Sequence, residues 1–286
     1  MISQPHPYDG FAWLGAPLDA RALFAPERAV LLAQLRGLAP DDWNREAVPG
    51  WSVRDLVAHL LGDDYGRISR DRDGHRGGPG LAAGETLEAY IHRLNQQWVD
   101  ACARLSPAVL TQTLELTGAA VADLFRAADL HENAPIGVSW AGAEPAPAWL
   151  DCAREFTEHW VHRQQIRHAT GQPTDPDPRP LAVVIDTFAR ALPHTLRDTA
   201  ADPGTQVRLS VPGPAGGEWT ATAGDRGWSL APPASGQWAA TVRLDAETTW
   251  RVCVRGIEPA DALARGSVEG DQRLAAAVCQ LVSIIR

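Results

Sequence analysis

Lysine is missing from this chain: all 26 basic residues are arginine. That absence removes Schiff-base catalysis and the phosphate-gripping lysine of a P-loop. No stretch approaches the roughly 20 uninterrupted apolar residues of a membrane span, and the opening MISQPHPYDG has neither the basic start nor the apolar core of a secretory leader. Cysteine is scarce. Its four residues, Cys102, Cys152, Cys253 and Cys279, have no Cys-x-x-Cys spacing and read as reduced thiols of a cytoplasmic protein. Excess positive charge is absent too, with a net charge of -9 that argues against nucleic acid as a partner. No Gly-x-Ser-x-Gly elbow occurs, and no cysteine has a neighbouring histidine of the papain kind.

What remains is a chain of 286 residues with 45% hydrophobic content, enough for two packed domains. Its 25 glycines, 22 prolines and lysine-free basic set point to a GC-rich genome. From Arg21 to Thr170 the text reads as helices separated by Gly/Pro breaks. One spans Ala29 to Leu38; a second begins at Val53 behind Pro49-Gly50 and a Ser52/Asp55 capping box, with Val53, Leu56, Val57, Leu60 and Leu61 on one stripe. Residues 70–84 are too glycine-rich and polar for regular structure and read as a mobile loop. Further helices are expected from Glu85 to Leu105, closed by Ser106-Pro107, from Leu114 to Leu130, and from Ala148 to Thr170, stopped by Gly171 and Pro173.

Four prolines in TGQPTDPDPRP mark a domain boundary. A helix from Leu181 to Thr199 follows. Alternating runs around Val207, Trp219, Trp228 and Val242, divided by glycine-rich turns, then predict antiparallel strands, with helices at Ala246 to Arg255 and Gln272 to Ile285. The expected architecture is α+β in two domains, with an extension at 1–20, a helical bundle at 21–174 and a smaller sheet-containing domain at 175–286.

The densest group of ligand-type side chains is Glu158-His159-Trp160-Val161-His162. At about 100° per residue, Glu158 and His162 lie within about 40° of each other, one turn apart, so both can reach one metal. His59 on the second helix is the best third candidate, and two histidines with one carboxylate form a set that catalytic zinc uses. The same side chains also suit half-buried helix positions with no metal. Trp149, Ala153, Phe156 and Trp160 form an apolar face nearly opposite Glu158 and His162.

The run Pro49-Gly50-Trp51-Ser52-Val53-Arg54-Asp55-Leu56-Val57-Ala58-His59-Leu60, with Glu158 to Arg167 a hundred residues later, resembles the mycothiol-dependent maleylpyruvate isomerase family. That family lies within the DinB-like metal-binding helical bundles. The resemblance implies a DinB-like four-helix bundle followed by an SCP2-like α/β domain with an antiparallel sheet. It implies a divalent metal, with zinc the expected ion, held by His59, Glu158 and His162, with His159 outside the set. It also implies mycothiol as thiol cosubstrate, an actinobacterial source in which that thiol is available, and a functional arginine in Thr248 to Gly256, Arg255 first and Arg251 in reserve. Gln165 stands where the family commonly has Asp. The implied activity is metal-assisted addition of the thiol to a small electrophile, as an isomerase or as a thiol S-transferase, in a cytoplasmic monomer or small homo-oligomer. The alternative is a noncatalytic sensor or carrier that keeps the metal and a ligand.

Overall fold

The computed structural model describes residues 9–230 and 237–283. Among them the chain forms helices α1 (Phe24–Arg36), α2 (Val53–Arg67), α3 (Leu87–Ala101), α4 (Pro107–Ala127), α5 (Ala148–Ala169), α6 (Pro178–Ala189), α7 (Leu192–Leu196), α8 (Ala246–Cys253), α9 (Pro259–Arg265) and α10 (Gln272–Val278). A short hairpin joins β1 (Glu46–Val48) to β2 (Trp51–Ser52). A five-stranded sheet holds β3 (Gln206–Val211), β4 (Gly217–Gly224), β5 (Gly227–Leu230), β6 (Ala240–Arg243) and β7 (Ser267–Gly270). The fold is α+β, helical first and sheet-containing after. Two compact units account for it, one of residues 20–128 with 155–175, the other of 9–19, 129–154 and 176–283. Residues 129–154, grouped with the bundle in the sequence reading, cluster with the second unit, where Gly142 lies against the His194 ring.

In the bundle unit, α2 is the central element. Its stripe of Val53, Leu56, Val57, Leu60 and Leu61 is at most 1% exposed and packs with Leu31, Leu32 and Leu35 of α1, Val99 of α3, Leu110 and Leu114 of α4, and Ile166 of α5. The start of α2 is fixed as the sequence predicts. Ser52 Oγ accepts from Asp55 N at 3.2 Å, and Asp55 Oδ2 accepts from Ser52 N at 3.1 Å. Before it, Gly50 at φ +84° closes the β1–β2 turn that sets Trp51 beside α2. Beyond Arg67 one π-helical turn runs to Arg72, and residues 74–86 are irregular and mainly exposed, in keeping with their glycine content.

Helix α4 begins seven residues earlier than expected. Ser106-Pro107 does not merely end the preceding helix; Ser106 Oγ caps Val109 N at 3.3 Å and Pro107 takes the first helical position, where its missing N–H costs nothing. Helix α1 likewise starts earlier, at Phe24.

In the other unit the sheet order is β5-β4-β3-β6-β7. The β3–β4 and β4–β5 hairpins are antiparallel as the glycine turns require, while β6 joins β3 in parallel and β7 pairs antiparallel with β6. Strand β7 carries no run of alternating apolar residues, and its Ser267, Glu269 and Gly270 are exposed. Val207, Leu209, Ala221 and Val242 share one buried face by register. Helix α6 packs on β4, where Trp219 Nε1 donates to Asp186 at 2.6 Å. The last helix ends at Val278, short of the Ile285 expected; Ile284 and Ile285, like part of the 1–20 extension, lie outside the described residues.

Candidate metal centre

Three side chains from two helices of the bundle meet. His59 stands on α2, two turns in from its cap, and Glu158 and His162 stand one turn apart on α5. One potential ligand atom from each lies within 4.8 Å of the other two. His162 Nε2 faces Glu158 Oε2 at 3.2 Å, and the His59 and His162 rings meet edge to face at 4.9 Å. Tetrahedral zinc with N and O ligands at about 2.1 Å sets its donor atoms about 3.4 Å apart. Glu158 and His162 are close to that spacing, and His59 lies within 4.8 Å of both.

Protonation suits the same use. Burial, then the nearby His162, pushes the His59 imidazole down to about 3 against the opposing pull of Glu158, so at neutral pH it is an uncharged ligand. His162 Nδ1 lies 2.7 Å from Gln165 Oε1. A carboxamide oxygen only accepts, so this contact makes Nδ1 the donor and, in the neutral ring, leaves the lone pair on Nε2. That Nε2 is buried and makes no hydrogen bond among the described residues, yet it points at a carboxylate oxygen. Either a proton on Nε2 or a shared cation would join these two atoms at that distance. The donor set fits a divalent ion.

Trp51 tilts against His59 with ring centres 5.2 Å apart, held by Nε1 donating to Gln96 Oε1 at 2.9 Å. Asp63, one turn beyond His59, puts Oδ2 3.4 Å from its Nε2.

His159 points elsewhere. It is 3% exposed, packs edge-on against Phe24, and puts Nε2 3.7 Å from Asp64 and 3.9 Å from Glu155. There it joins a second buried polar group that the sequence reading did not anticipate: Arg28 pairs with Asp64 at 2.7 Å, Arg67 with Glu155 at 2.7 Å, and Arg163 with Glu27. Thr117 Oγ1 donates to Asp64 at 2.5 Å. Burial first, then Arg28, holds the His159 imidazole down at about 4. A signal was present, because Asp64 continues the α2 stripe one turn past Leu60 and Leu61.

Of the two arginines expected from the resemblance, Arg255 sits in the turn after α8 at φ +54° and donates to Val252 O at 3.3 Å and Gln280 O at 2.8 Å. Arg251, within α8, lies 3.7 Å from Glu247.

The chain is thus an α+β protein with a helical bundle that carries a His/Glu/His cluster able to hold a metal ion. The family model of the mycothiol maleylpyruvate isomerase N-terminal domain matches residues 24–167, and the chain belongs to that family. Solved structures share the fold. The crystal structure of the mycothiol-dependent maleylpyruvate isomerase is 16% identical, with a TM-score of 0.50 over 84% of this chain and 90% of that one. A histidine-to-alanine mutant of the mycothiol-dependent maleylpyruvate isomerase is 15% identical with the same score and coverage. The comparison with curated proteins returns no match.

Proposed function

We propose that this chain is a cytoplasmic enzyme that uses a divalent ion, zinc the best fit, to activate mycothiol for addition to a small electrophile. Family membership supports the thiol, and the cluster of His59, Glu158 and His162 supports the ion. A divalent ion held there would supply the positive charge that keeps a bound thiol ionised at neutral pH. His59 contributes a neutral nitrogen because burial disfavours its charged form. Glu158 contributes the ligand set's one negative charge, so three ligands alone would leave the ion a positive charge toward an anionic sulfur, with the Asp63 carboxylate beside His59 moderating it. Trp51 gives the site an apolar wall beside His59.

Two fates of the adduct fit these residues. In the isomerase reading, the sulfur adds to an electron-poor cis double bond, the resulting single bond rotates, and the same thiol leaves to give the trans product. In the S-transferase reading the carbon–sulfur bond persists. The isomerase reading with a dicarboxylate substrate needs a cationic partner, the role proposed for Arg255 and, after it, Arg251.

The observation that carries the proposal is the three-ligand cluster inside the family domain. Metal analysis of the purified protein and of His59→Ala tests it, followed by assays of maleylpyruvate isomerisation and of mycothiol conjugation to an electrophile panel. Stoichiometric metal in the wild type, its loss in the variant and thiol-dependent turnover are expected. A folded wild type that neither retains nor takes up metal defeats the proposal.

A further inference from the structure

Helix α5 sets Gln165 one turn beyond His162, and its carboxamide oxygen is the observed partner of Nδ1 at 2.7 Å. We propose that Gln165 is a positioning residue of the metal centre, selecting the His162 tautomer that presents Nε2 as a ligand while adding no charge. This rests on the metal-centre reading above and extends it to the character of the site.

The two halves of the inference have separate physical grounds. A neutral imidazole has one N–H, and the nitrogen with the closer acceptor is favoured to hold it: Gln165 Oε1 lies 2.7 Å from Nδ1, Glu158 Oε2 3.2 Å from Nε2. With Gln165 accepting at Nδ1, the neutral ring turns the lone pair of Nε2 toward Glu158, where the third ligand also converges. The second half is charge arithmetic. Two neutral imidazoles, one ligand carboxylate and a divalent ion sum to +1, and the Asp63 carboxylate beside His59 brings the group to zero; a second outer carboxylate at residue 165 would make it −1. A carboxylate partner also makes a ligating histidine more basic and the ion a weaker acceptor of further anions. Gln165 keeps the orientation and leaves out the charge, which tunes this chain's site toward anionic ligands such as a thiolate. The side chain is half-buried on α5, so substitutions of similar size leave the core untouched.

Gln165→Leu and Gln165→Glu test the halves independently. Imidazole proton–nitrogen correlation spectra of the metal-free proteins report the tautomer. Wild type and Gln165→Glu are expected to hold His162 as Nδ1–H, whereas Gln165→Leu gives a mixture of both forms. Zinc affinity, by competition with a chromophoric chelator, is expected to fall about 10- to 100-fold in Gln165→Leu and to be kept or strengthened in Gln165→Glu. Thiocyanate titrated into the cobalt-substituted proteins is expected to bind about tenfold more weakly to Gln165→Glu than to wild type. An unchanged His162 tautomer with zinc affinity within about twofold of wild type in Gln165→Leu overturns the orienting role. Equal thiocyanate affinity in wild type and Gln165→Glu overturns the charge argument. A wild type that binds no zinc overturns the metal reading instead, a result the metal-free spectra keep distinct from failure of the tautomer assignment.

Discussion

Helices α2 and α5 carry two buried polar groups of opposite design. Around Asp64 and Glu155 the cations are built in: Arg28 and Arg67 each meet a carboxylate at 2.7 Å. Around His59, Glu158 and His162 the facing groups are imidazoles, and burial keeps the His59 ring neutral. The first group closes its own charge balance and serves the fold. Among the described residues the second has no arginine in its facing groups and could hold a cation, and that difference separates the two within one bundle.

The contrast is broken most directly at Arg28. Arg28→Met strands Asp64, which is fully buried, and is expected to destabilise the bundle by about 3–5 kcal/mol in urea unfolding. His59→Ala should cost the metal-free protein less than Arg28→Met, since it removes a packed ring but strands no buried charge. Comparable losses for both would erase the distinction.

Acidification comes next. The unfolded chain takes a proton on His159 near pH 6.5, while the folded chain refuses it down to about 4. The unfolded state therefore binds more protons between those values, and stability falls as pH falls through that window. The His159 contribution is on the order of 3 kcal/mol. Denaturant midpoints measured from pH 7 to 4 should show the slope in wild type and a shallower one in His159→Phe.

Zinc itself should act on only one of the groups. At a free concentration one hundred times its dissociation constant it stabilises wild type by about 2.7 kcal/mol, read as a rise in the melting temperature. His162→Ala should abolish that rise, whereas His159→Phe should keep it. The smallest effect belongs to the shared scaffold: Ser52→Ala removes the α2 cap and should cost about 1 kcal/mol with or without zinc.

Much of this was legible in the sequence because the chemistry is local. The Ser52/Asp55 cap, the α2 stripe and the Glu158/His162 turn depend on residues close together in the chain, and each forms at its expected place. What escaped depends on distant partners. Thr117 and Gly118 weaken α4 by intrinsic preference, yet in the fold Thr117 donates to Asp64, and a Cβ at Gly118 would meet the Arg28 side chain at 2.6 Å. The two residues make room for an ion pair brought in by α1 and α2, which no local pattern announces. The parallel β3–β6 pairing is hidden for the same reason, since antiparallel turns are written in adjacent residues and a crossover is not.

The candidate ligands also lie far apart along the chain, His59 on α2 and the other two nearly a hundred residues later on α5. An unfolded chain offers at best the Glu158/His162 pair, so full affinity arises only after both helices have docked. The ion would then act as a reversible crosslink across a long loop, formed late in folding and broken early in unfolding. Metal content in a set of core variants would report the integrity of the bundle, including variants whose substitutions never touch a ligand.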